Sequence, residues 1–226
     1  MEGLEMNSKN LAIFLPGIGY HNDKPLLYFS RKLAVECGYD TLNIEYHDLP
    51  GKVMGDKAKM MEAVNIAFRQ AEEALDKLDL SSYDKFLLVG KSIGTVIATG
   101  LVAKRGLNAK LVLYTPVEAT FMNVFRETGC GDVTDGPNCA DVYSDAVAFI
   151  GTNDPWSDLE TVKALAREKN VPLHLYPGAN HSLERNGAQE GSNTLAGSTT
   201  LENIKILEDV MAKTLEFIAP YINHKH

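Results

Sequence analysis

The chain has 226 residues, 45% of them hydrophobic, which suits one α/β domain with a sizeable core. Its formal net charge of −8 at pH 7 argues against nucleic acid and anionic membrane partners, which require a cationic face, and against a polyanionic substrate. Three cysteines, Cys37, Cys130 and Cys139, do not make a disulfide framework.

Short apolar runs alternate with longer amphipathic ones, the pattern of a mostly parallel sheet covered by helices. The first strand is Leu11–Leu15, stopped by Pro16-Gly17. A helix follows from about Pro25 to Cys37, with proline at its first position and Gly38 at its stop. Cys37 falls in its apolar pattern and is expected to be buried. Thr41–Tyr46 reads as the second strand. A long helix covers roughly Asp56–Leu78, where Ala63, Val64, Ala67, Phe68, Ala71 and Ala74 recur at helical spacing. Phe86–Val89 is the third strand and runs into Gly90-Lys91-Ser92-Ile93-Gly94. A helix over Ile93–Lys104, stopped by Gly106, and a fourth strand over Leu111–Thr115 come next.

Val117–Ser144 is rich in Gly, Asp and Thr, with weak periodicity. Ala146–Ile150 is the fifth strand. Ser157-Asp158-Leu159-Glu160 has the form of a capping box opening a helix to about Lys169. Val171–Tyr176 is the last strand. Gly187–Thr200 reads as a loop, and Leu201–Ile218 as the closing helix. No internal repeat or interdomain linker interrupts residues 1–226, which read as one domain. The N-terminal MEGLEMNSKN lacks the layout of a signal peptide, and no apolar run reaches the roughly 20 residues of a membrane span. A cytoplasmic protein with two free thiols at Cys130 and Cys139 is expected.

Gly90-x-Ser92-x-Gly94 is a short motif, and its setting gives it meaning. A serine on a sharp turn between a buried strand and a helix exposes its hydroxyl at the helix N-terminus, where N–H dipoles favour negative charge. The glycines let the backbone turn and pack closely. With Gly151-Thr152-Asn153-Asp154-Pro155 and Gly178-Ala179-Asn180-His181-Ser182, both placed directly after strands, the chain resembles the α/β-hydrolase superfamily, among its small esterase- or dienelactone-hydrolase-like serine hydrolases. The resemblance covers nearly the whole chain, in a minimal form starting at what would be the family's third strand. It implies a three-layer α/β/α sandwich with Ser92 as nucleophile, His181 as general base and Asp154 as the acid that orients it. It further implies an oxyanion hole from the N–H groups of Ile93 and, in the Pro16-Gly17-Ile18-Gly19 loop, Ile18. Gly17, Lys91 and Trp156 are candidates for substrate contact. The chemistry needs no metal and no cofactor. The partner is a small-molecule acyl substrate, the default being a short-chain ester or thioester, and a homodimer is left open.

Each residue has a plainer reading. Ser92 could be an ordinary helix N-cap and His181 a surface histidine. Glu118 and Asp158 rival Asp154 for the acid, although a helix dipole accounts for Asp158. Lys91 more often belongs to a solvated face, and Trp156 could pack beneath its loop. Asp132, Asp135 and Asp141 match no metal loop. Residues 117–144, opening with Phe121, Met122, Val124 and Phe125, fall where the family inserts its cap and are expected to form a small flap over an open site. Two other classes stay in play: a hydrolase fold that binds without catalysing or acts as a peptidase, and a nucleotide binder using Gly17 and Gly19, which lacks the third glycine.

Overall fold

The computed structural model describes residues 9–122, 142–185 and 199–219. Six strands form one sheet: β1 (Asn10–Leu15), β2 (Tyr39–Asn43), β3 (Lys85–Lys91), β4 (Ala109–Tyr114), β5 (Ala146–Gly151) and β6 (Leu173–Tyr176). Their order is β2-β1-β3-β4-β5-β6, and every pairing is parallel. Between them run α1 (Pro25–Glu36), α2 (Lys57–Leu75), α3 (Ile93–Arg105), α4 (Leu159–Glu168) and α5 (Thr199–Ile218), with a 3-10 turn at Glu118–Phe121.

The strands at the centre are apolar on both faces because helices cover both faces. Alternation along β3 sends Leu88 to one core and Leu87 and Val89 to the other. The first core gathers Val64 and Phe68 of α2, Val96 and Ile97 of α3, and Val162 and Ala166 of α4. The second gathers Leu26 and Leu27 of α1 with Val210 and Ile218 of α5. Inside the second core the Tyr114 hydroxyl joins Ser30 of α1 at 2.8 Å and Thr214 of α5 at 2.7 Å, so the polar atom at the sheet surface is satisfied from both helices. On the opposite side Lys104 and Arg105 of α3 reach Glu72 of α2 at 2.8 and 3.4 Å.

Helix ends follow from local chemistry, and some elements depart from the sequence reading. Asp56 caps α2 by accepting the Lys59 N–H at 3.0 Å, and Gly106 (φ 60°) ends α3. The cap of α4 is Asp158, which accepts the Thr161 N–H at 2.8 Å, rather than Ser157. Ser157 instead donates to the Pro116 carbonyl, and Glu160 pairs with Lys163. The second strand lies at Tyr39–Asn43, starting two residues and ending three residues earlier than expected, since Tyr39 to Asn43 pair in register with Asn10 to Phe14. Cys37 caps the C-terminus of α1 and is half-buried at the margin of the second core. Cys130, Cys139, the three loop aspartates and most of the 117–144 flap lie outside the described residues. Among the described residues, no helix is long and apolar enough to cross a membrane.

Candidate active site

The carboxyl ends of β3, β5 and β6 converge on one edge of the sheet, where open α/β sheets hold their ligands. β3 ends at Lys91, and the chain turns at Ser92 into α3 with no extended linker. Ser92 has φ 57° and ψ −122°, a conformation costly for a residue with a side chain. Its hydroxyl does not cap α3, so the ordinary N-cap reading fails. The turn is tight enough that a Cβ on Gly94 would stand 2.0 Å from the Leu15 carbonyl oxygen, and one on Gly90 2.5 Å from that of Gly94. Only glycine fits at either position.

Ser92 Oγ lies 2.9 Å from Nε2 of His181. The other ring nitrogen, Nδ1, lies 2.7 and 2.9 Å from the two carboxylate oxygens of Asp154. Asp154 Oδ1 also accepts the Trp156 N–H at 2.9 Å, which fixes the carboxylate's rotation. The loops bearing the acid and the imidazole are tied to each other: Asn153 N–H donates to the Ala179 carbonyl at 2.9 Å, and Gly178 N–H to the Thr152 hydroxyl at 2.8 Å. Burial holds the His181 imidazole below its ordinary pKa, opposed by the hydrogen bond it donates to Asp154 and reinforced by the positive charge of Lys91. The ring is therefore neutral at physiological pH and free to accept a proton.

The rival acids are engaged elsewhere. Glu118 accepts the Asp158 N–H at 2.6 Å, and Asp158 caps α4. Trp156 packs its ring 5.7 Å from that of His181. The Pro16–Tyr20 loop folds over the elbow: Gly17 and Tyr20 exchange backbone hydrogen bonds at 3.2 Å, and a Cβ on Gly17 would lie 3.0 Å from Cβ of Ser92. Ile18, half-buried, is carried by this loop, while Ile93 opens α3, whose first N–H groups have no intrahelical partner.

Lys91 departs from its plainer reading. It is 1% exposed, and its ammonium sits 5.0 Å from the centre of the Tyr20 ring. Burial pulls its pKa down to about 7, against the attraction of Asp154. The lysine continues the Leu87, Val89 alternation into the second core, a face that is buried on this strand from Leu87 onward and exposed only at Lys85.

Beside the elbow lies a trough of about 670 Å³, a volume typical of small-molecule sites. Ile93, Val96, Pro155 and Trp156 line it together with Met54, Met60, Met61 and Met122. Met122 joins the other three from a distant stretch of chain, so no local signal in the sequence marks the trough. Thr115 carries no sequence signal either: it follows β4, has φ 44°, and its buried hydroxyl has no hydrogen-bond partner among the described residues.

No family model and no curated protein matches the chain. Solved structures do. Est1E from Butyrivibrio proteoclasticus aligns with a TM-score of 0.55 at 17% identity, over 96% of this chain and 91% of that one. The esterase Pf2001 of Pyrococcus furiosus aligns at 0.55 and 14% identity, over 94% and 83%. XC6422 from Xanthomonas campestris, described as an α/β serine hydrolase without a lid, aligns at 0.52 and 12% identity, over 96% and 84%. The chain has the α/β-hydrolase fold.

Proposed function

We propose that the protein is a serine hydrolase that cleaves a small carboxylic ester or thioester through an acyl-enzyme on Ser92. The observation that carries this reading is the unbroken contact from Ser92 Oγ to His181 Nε2 and from His181 Nδ1 to Asp154, on a strained elbow. His181 takes the hydroxyl proton as Ser92 Oγ bonds to the acyl carbon. Asp154 holds the ring so that Nδ1 carries its proton and Nε2 accepts, and stabilises the imidazolium. The oxyanion is met by the N–H groups of Ile93 and Ile18. Collapse breaks the acyl–oxygen or acyl–sulfur bond, and His181 returns the proton to the leaving alcohol or thiol. Water, deprotonated by the same imidazole, then releases the acid.

The methionine-walled trough supports an apolar acyl group lying against Ile93 and Trp156, since methionine adapts to irregular apolar shapes. Among the similar structures, Est1E has been seen with ferulic acid bound, and Pf2001 is described as an esterase. Both descriptions agree with an ester substrate here.

The test is labelling with a fluorophosphonate probe, followed by mass spectrometry of the modified peptide and an acyl-length series of esters and thioesters. Labelling at Ser92 that disappears in Ser92→Ala is the expected result, with turnover improving as the acyl chain fills the trough. A folded protein left unlabelled at Ser92 would overturn the reading in favour of a binding role for the fold.

A further inference from the structure

An ammonium in an apolar core is costly to bury, and a methionine or leucine would suit the second core better at position 91. Lys91 is nevertheless 1% exposed and directly precedes Ser92 in the chain. Among the described residues, no carboxylate lies within ion-pair distance of its ammonium. The Tyr20 ring lies 5.0 Å away instead, an attractive partner for a cation. Tyr20 in turn is fixed: its hydroxyl accepts the Leu26 N–H at 3.1 Å, and its backbone closes the loop that carries Ile18.

The charges around this point are few. Asp154 acts on Lys91, and Asp154 and Lys91 both act on His181. Tyr114, the register partner of Lys91 on β4, is held neutral by burial, as is Tyr20; Glu184 faces Tyr20. The Asp154 side chain is only 2% exposed, so its negative charge needs a compensating positive one. A neutral His181 does not supply it.

We propose that Lys91 is the resident counter-charge of the site, an electrostatic positioning residue whose buried ammonium balances Asp154 at rest and the oxyanion once His181 has taken the Ser92 proton. The proposal rests on the serine-hydrolase reading. The charges then sum to zero at both stages. At rest there is one carboxylate and one ammonium. In the tetrahedral intermediate there are a carboxylate and an oxyanion against an imidazolium and the ammonium. Without Lys91 the site is one unit negative throughout, which opposes formation of a further anion.

The consequence is a particular pH dependence. The rate rises on the acid side as His181 becomes neutral, and falls again in mildly alkaline solution as Lys91 loses its proton. The test is the second-order rate of fluorophosphonate labelling at Ser92 from pH 5 to 10, in the wild type and in Lys91→Met, which keeps the volume and removes the charge. The wild type should show both limbs. The variant should lose the alkaline fall, label about tenfold more slowly at neutral pH, and have its acid limb moved up by about one pH unit, because a cation no longer opposes the imidazolium. A wild-type rate that stays level from neutral to pH 10 overturns the proposal, as does a folded variant with the wild-type profile. If Lys91→Met fails to fold, the wild-type profile alone decides. Failure of the underlying reading looks different, since Ser92 would then label at no pH.

Discussion

The role proposed for Lys91 sets stability against function in one side chain. Its folded pKa of about 7 lies below the ordinary lysine value of 10.5, so the unfolded chain binds the proton more readily. The cost to folding is fully present below pH 7 and is relieved as the pH rises from there through 10.5. Wild-type stability toward guanidinium should therefore climb by a few kcal/mol across that window through this residue. Lys91→Met should be the more stable protein at pH 7 and should lack the climb. Equal midpoints at pH 7 would mean the lysine is less thoroughly desolvated than its burial indicates. The sequence held a clue to this residue: Leu87, Val89 and Lys91 share one face of a strand whose two faces are both buried. A general preference of lysine for water concealed it. Ser92, Asp154 and His181 were legible for the opposite reason, because each follows a strand at a glycine-marked turn, and strand ends are visible in hydrophobic pattern alone.

At the scale of elements, the elbow is a wedge driven between β1 and α3. Gly94 lies so close to the Leu15 carbonyl that a methyl group there meets backbone on the neighbouring strand, which cannot rotate away as a side chain would. Gly94→Ala should cost about 3 kcal/mol or more in a denaturant titration, and the surviving folded fraction should label poorly at Ser92. A variant matching the wild type in midpoint and labelling would show that β1 can yield. Strands and helices were readable from period and punctuation, whereas their ends were less so. Ser157 and Asp158 both satisfy the chemistry of a cap; the choice fell to Asp158 because Pro116, distant in sequence, offers Ser157 a carbonyl. The methionine trough had no local signature at all, since it exists only once α2, α3 and the loop after β5 stand together.

At the scale of the molecule, the two cores are joined through the sheet, and the candidate site is spread across it. Ser92 follows β3, next to β1 in the interior, Asp154 follows β5, and His181 follows β6 at the edge. Tyr114 makes β4 a second point of assembly, where α1 and α5 meet through Ser30 and Thr214. Residues far apart along the chain thus depend on a common frame.

That arrangement has a kinetic consequence. Parallel pairing closes long loops before it is rewarded, so such sheets form slowly. His181 follows the edge strand β6, so under the proposed mechanism Ser92 is activated only after that strand has docked on β5. In refolding from denaturant, fluorophosphonate reactivity should return only with the slowest phase that completes the sheet, after helical circular dichroism has largely recovered. Reactivity that returned with the earliest helical signal would show that the Ser92 environment assembles without its edge strand.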